Sequence, residues 1–178
     1  MALHGWQDNH PDSDEYDSFY RDYLDLLDTD NIIQTLTMQG QIMFTLIQNL
    51  SPDEADYRYA DGKWSVKEVI GHLIDTERVM AYRAMCISRG DLTSLPGFDQ
   101  DEYVENAHFE ERSLTSLSAE YDAQRNANIS MFNGLTEEQI LQKGTANGVT
   151  VSVRALAHII AGHEKHHLMI LKEKYEVE

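Results

Sequence analysis

Two histidines four residues apart, His163 and His167, are the strongest chemical signal in the chain. They lie in a run with helical periodicity from about residue 152 to 175. At ~100° per residue with Leu156 as zero, Ile160 falls near 40°, His163 near −20° and His167 near +20°. Ile170 and Leu171 flank them, so both imidazoles occupy the centre of the core-facing stripe. His158 falls near 200°, on the opposite face, and His166 lies on a flank. Residues at i and i+4 stack on one helix face with Cβ atoms ~6 Å apart. Two imidazoles so placed can reach one metal ion at ~2.0–2.1 Å per bond. The alternative is a pair of core histidines bonded to side chains or water, each needing partners for both ring nitrogens.

A third histidine, His72, lies near the flank of another apolar stripe. It is either half-exposed or a third ligand that faces the neighbouring helix. Three nitrogens with coordination positions left open would be the arrangement of a catalytic metal. Two charged residues also fall inside apolar stripes. Glu77 lies between Leu73 and Met80, and Arg125 between Tyr121 and Phe132. A buried unpaired charge is costly, so the pair is expected to bridge two helices or to face the site. Arg125 is thus a candidate substrate contact. Glu77 and Glu164 are the helical carboxylates near enough in sequence to serve as a general base.

These residues require helices to position them. From Asn31 to Leu50 apolar residues recur at helical spacing, and Ser51-Pro52-Asp53 reads as a stop. A shorter helical stretch covers residues 16–27. Ser65 followed by Glu68 is a capping box, with Trp64 before it. The stripe Val66, Val69, Ile70, Leu73, Met80, Ala84 then runs to a glycine cap at Gly90. Residues 91–112 form a long connection of the kind that is functional or carries a short helix. Leu114, Leu117, Tyr121, Phe132 and Leu135 mark a third helix, Thr136 caps a short one, and Asn147-Gly148 is a turn. The spacing predicts an all-α protein, an antiparallel four-helix bundle with long helices near 31–50, 65–89, 113–134 and 152–175 and no sheet.

The chain has 178 residues, one cysteine and a formal charge of −17. One domain is expected at this length, spanning residues 16–178 behind a flexible acidic tail over residues 1–15. The charge argues against binding nucleic acid or an anionic membrane. One cysteine cannot form an internal disulfide. No stretch approaches the ~18 apolar residues of a membrane span. The N-terminus lacks a signal-peptide pattern, so a cytoplasmic location is the expectation.

The run Gly62-Lys63-Trp64-Ser65-x-Lys67-Glu68-Val69-Ile70-Gly71-His72-Leu73-Ile74-Asp75-Thr76-Glu77-Arg78 resembles a signature of the DinB/YfiT-like family. Ala161-Gly162-His163-Glu164-x-His166-His167-Leu168 resembles its second signature, and the resemblance spans residues 32–175. It implies a four-helix bundle with a divalent metal held by His72, His163 and His167. Zinc and nickel both suit three imidazoles. It further implies a metal-dependent enzyme acting on a small-molecule substrate, either a hydrolase or a low-molecular-weight thiol S-transferase, and a homodimer. A non-catalytic metal-binding stress-response module is the alternative. The family's name derives from DNA damage and implies no DNA contact.

Overall fold

The computed structural model describes residues 5–177. Its four long helices are α2 (Ile32–Asn49), α4 (Val66–Ser88), α6 (Leu114–Asn133) and α8 (Val153–Lys174). A short helix precedes them, α1 (Arg21–Asp25), and others join them: α3 (Pro52–Asp56), α5 (Gln100–Ala107) and α7 (Glu137–Leu141). Each long helix lies within one residue of its expected ends. The N-caps Asn31, Ser65, Ser113 and Ser152 each accept backbone N–H bonds from the first turn. At Ser65 the capping box is complete, with Glu68 Oε2 accepting from Ser65 N at 2.6 Å. Gly90 ends α4 at φ +78°, a left-handed conformation that glycine adopts without steric cost.

The four helices form a closed square in which α4 packs on α8 and α6, and α2 packs on α6 and α8. Consecutive long helices α2 and α4 therefore face each other across a diagonal, as do α6 and α8. Only α4 and α6 are both consecutive and adjacent. This arrangement brings the His72 helix against the His163 helix. The long connection after α4 carries a short helix, α5, as its length suggested.

Three features depart from the sequence expectation. A two-stranded antiparallel hairpin, β1 (Lys143–Ala146) with β2 (Val149–Ser152), replaces the sheet-free connection, and Asn147-Gly148 forms its turn. Ser51-Pro52 does not simply stop α2. Ser51 and Glu54 form a second capping box that opens α3, with proline at a position whose N–H needs no partner.

The third departure is the N-terminal segment, expected as a solvated tail. Its described residues pack onto the bundle. Trp6 is 1% exposed and its Nε1–H donates to Phe132 O at 3.0 Å. Arg154 binds Glu15, Asn9 and Asp12, and Ser152 Oγ donates to Glu15 Oε2 at 2.7 Å. Three of the acidic residues that suggested solvation pair with cations remote in sequence, Asp12 and Glu15 with Arg154 and Asp14 with Lys143. Residues 1–4 of that expected tail lie outside the described residues.

The segment also covers His158. That residue points away from the other α8 histidines, as the wheel required, yet it is buried with its ring 5.0 Å from that of His10. Burial, opposed by the bond with Arg154 O, lowers its pKa from 6.5 to about 4. The unfolded chain thus binds a proton between pH 6.5 and 4 that the folded chain does not. Stability present above pH 6.5 is lost as the pH falls through this window, by about 3 kcal/mol for this group. Urea denaturation of the metal-free protein at pH 7 and pH 4 should show a smaller acid loss in His158→Gln, by about that amount. Identical acid losses in the two proteins would refute the assignment.

Candidate metal centre

Helix α4 supplies His72 and helix α8 supplies His163 and His167. In each helix a glycine precedes the first of the clustered histidines, and both glycines are required by close packing. A Cβ on Gly71 would lie 2.3 Å from the Phe109 ring, and one on Gly162 would lie 2.3 Å from the backbone oxygen of Tyr23. The second contact lets α1 cross directly over α8, where Lys165 Nζ donates to Leu26 O at 2.6 Å. Gly162→Ala must push the Tyr23 backbone away, and overpacking of this kind costs about 1–3 kcal/mol. A melting temperature unchanged from wild type would contradict that crossing.

The three histidines present one ligand nitrogen each within 4.8 Å of one another. His72 Nε2 and His163 Nε2 are 3.0 Å apart. His72 and His163 are 2% and 7% exposed. Burial lowers the pKa of His72 to about 4 and that of His167 to about 3, and burial with the neighbouring histidines holds His163 well below its usual value. All three are therefore neutral at physiological pH, the protonation state a metal ligand requires. His167 Nδ1 is buried without a hydrogen-bond partner. Three neutral, converging imidazoles with an orphaned buried nitrogen fit a divalent ion of borderline softness. Among the described residues no carboxylate or cysteine joins this group as a fourth member.

Residues around the cluster set its geometry. Thr76 Oγ1 lies 3.4 Å from His72 Nδ1, one turn along α4. The Trp64 ring sits 4.8 Å from the His72 ring, and the Tyr23 ring 5.4 Å from that of His163. Thr76 was accessible to sequence reasoning as the i+4 neighbour of His72. Tyr23 was not, because its position depends on how α1 crosses α8. Burial, then Tyr20 and Asp22, raise the Tyr23 phenol above its ordinary range, so it stays protonated. Two cavities adjoin the cluster. One of about 400 Å³ reaches His163 and Thr76, and another of about 620 Å³ reaches His167 and Trp64.

Glu77, Glu164 and Arg125 are not at the cluster but in one buried network. Arg125 Nε donates to Glu77 Oε1 at 3.0 Å, and Nη2 donates to Glu77 Oε2 at 2.8 Å and to Glu164 Oε2 at 2.6 Å. Nη1 donates to Leu36 O at 2.9 Å. Tyr121 Oη donates to Glu164 Oε2 at 2.6 Å, and Asn128 Nδ2 donates to Glu77 Oε1 at 3.0 Å. All three charged side chains are 4% exposed or less. The structural reading of Glu77 with Arg125 therefore holds, with Glu164 as a third member. The polar atoms of these three candidates for a general base or a substrate contact are engaged with one another in this network.

The fold has counterparts. A protein of Oceanobacillus iheyensis named "Putative metal-dependent hydrolase OB0413" is 26% identical over 128 residues, covering 71% of this chain and 73% of that protein. YfiT from Bacillus subtilis, described as "a probable metal-dependent hydrolase with an unusual four-helix bundle topology", superposes with a TM-score of 0.72 at 15% identity, covering 95% of this chain and 93% of YfiT. A DinB-like protein of Bacillus subtilis, YjoA, superposes with a TM-score of 0.59 at 21% identity over 82% of this chain and 89% of its own. The family model of the DinB superfamily matches residues 35–171, which hold every long helix almost entire and all three clustered histidines, and the chain belongs to that superfamily.

Proposed function

We propose that the chain is a metal-dependent enzyme that acts on a small molecule, with His72, His163 and His167 holding a divalent zinc or nickel ion. The observation that carries this reading is the convergence of three buried, neutral imidazoles at the walls of two cavities. A divalent ion held there supplies Lewis acidity toward a water, a carbonyl group or a thiol. The chain's own residues do the rest. Thr76 fixes the His72 ring, Trp64 and Tyr23 pack the imidazoles from two sides, and the cavities take the substrate out of bulk water. Hydrolysis is the reaction favoured by the relatives' names. Thiol S-transfer is the second reading, favoured by the presence of two cavities, since a transferase must seat a thiol and an electrophile together.

Turnover of ester, amide and thiol-plus-electrophile panels by protein reloaded with zinc or nickel tests the proposal. Activity should follow metal occupancy and vanish with chelator. Full occupancy without turnover in any panel would favour the non-catalytic metal-binding module. We further propose no nucleic-acid or membrane partner, consistent with the charge of −17 and with the absence, among the described residues, of any helix long and apolar enough to cross a membrane. A homodimer is proposed from the family resemblance. Sedimentation equilibrium should return twice the chain mass of 20.4 kDa, and a monomer would refute it.

A further inference from the structure

The cavity that reaches His163 is lined by Arg83 as well as by Phe19, Tyr20, Tyr23 and Phe98. Arg83 is 4% exposed, yet among the described residues it has no carboxylate partner within 4.0 Å. The contrast with Arg125, which is equally buried and holds two carboxylates, is direct. Arg83 Nη2 donates to Pro96 O at 2.6 Å and Nη1 contacts Met80 Sδ at 3.5 Å. Its guanidinium carbon lies 6.0 Å from the centroid of the Phe98 ring. These neutral contacts orient the guanidinium but put no carboxylate within salt-bridge range of it, and a buried cation without a close anion is costly. Arg83 lies on α4 eleven residues beyond His72, ~16 Å along the axis, and long helical side chains lean back toward the N-terminus. The cavity therefore has a cation towards one end, a histidine of the cluster at its wall and aromatic rings around it.

We propose that Arg83 anchors a carboxylate of the substrate, so that the small molecule carries a carboxylate on a flat, apolar body. This rests on the metal-dependent reading above. A monoanion suits the site better than a phosphate dianion. Among the described residues Arg83 is the only lysine or arginine lining the cavity, Asp17 lines it as well, and the protein's overall charge is −17. A planar guanidinium matches a carboxylate in geometry, and the aromatic rings match an apolar body.

Benzoate and its neutral isostere benzamide, titrated calorimetrically into metal-loaded and chelator-treated protein, test the proposal. Benzoate should bind ~10–100-fold more tightly than benzamide in both forms, the range of a hydrogen bond to a charged group. Arg83→Met should abolish the preference without changing metal content, and Arg83→Lys should retain part of it. Equal binding of the two probes, or a preference that survives in Arg83→Met, would overturn the proposal. A preference confined to metal-loaded protein would also overturn it, because benzoate would then sit on the metal. If Arg83→Met does not fold, the Arg83 Nε–H resonance of the wild type decides. It should move with benzoate and not with benzamide, and no movement with benzoate refutes the anchor. Wild-type protein that binds no metal but prefers benzoate would sink the enzyme reading alone. Stoichiometric metal without that preference would sink the Arg83 assignment alone.

Discussion

Replacing His72, His163 or His167 with alanine should each strip the protein of bound metal, whereas His158→Ala should leave the metal content unchanged. Each clustered histidine offers one nitrogen to a common point, and two remaining imidazoles do not make a competitive site. Affinity should fall by more than the ~10–100-fold that loss of an outer-shell partner costs. Thr76→Val supplies that smaller effect for comparison, since it removes only the hydroxyl beside His72 Nδ1. His158 is buried too, so it controls for general disruption of α8 while lying on the opposite face. Plasma mass spectrometry of the purified variants reads the result. Full occupancy in His72→Ala would remove that residue from the site. Equal loss in His158→Ala would mean that damage to the helix, not loss of a ligand, empties the site.

The second large effect concerns stability. Arg125→Met should destabilise the fold by about 3–5 kcal/mol at pH 7, because it leaves Glu77 and Glu164 buried without their cation. The sign of the pH dependence follows. Without the guanidinium, burial and mutual repulsion raise the folded-state pKa of the carboxylates above the unfolded value. The native variant then holds protons that the unfolded chain releases, so its deficit relative to wild type narrows as pH falls from 7 towards 5, while the buried histidines cost both proteins stability alike. In wild type burial raises the Glu164 carboxyl too, but Arg125 opposes the rise, so the gain there is smaller. Urea denaturation of both proteins at the two pH values measures the difference. A loss below about 1 kcal/mol at pH 7, typical of solvated pairs, would mean that the network is not desolvated.

The features that the sequence made legible share one physical basis, which is local periodicity. The apolar stripes, with the capping box at Ser65, located all four long helices, and the wheel of α8 separated His163 and His167 from His158 and His166. A charge inside an apolar stripe is a local anomaly, so Glu77 and Arg125 could be paired across helices. Glu164 could not be joined to that pair from the sequence, because its partner Arg125 lies 39 residues away on a diagonal helix. The N-terminal segment was misread for the same reason, since Glu15 meets Arg154 across 139 residues. The hairpin strands have four residues each, too short for alternation to register beyond their turn. The cavities, Arg83 among their walls, depend on how loops 91–99 and α1 settle on the bundle, which no periodicity encodes.

The diagonal placement of consecutive long helices also bears on how the molecule comes into being. In an up-and-down bundle each new helix docks on the one just made. Here α2 finds its neighbours only in α6 and α8, so the chain must close large loops before most contacts form. Such non-local topology slows folding, because loop entropy is lost before contacts compensate for it. His72 waits for His163 across 91 residues. A chain emerging from the ribosome therefore cannot assemble the three-histidine cluster until α8 has been synthesised and has docked, so any ion taken up there would be captured after the bundle closes and could not seed the fold.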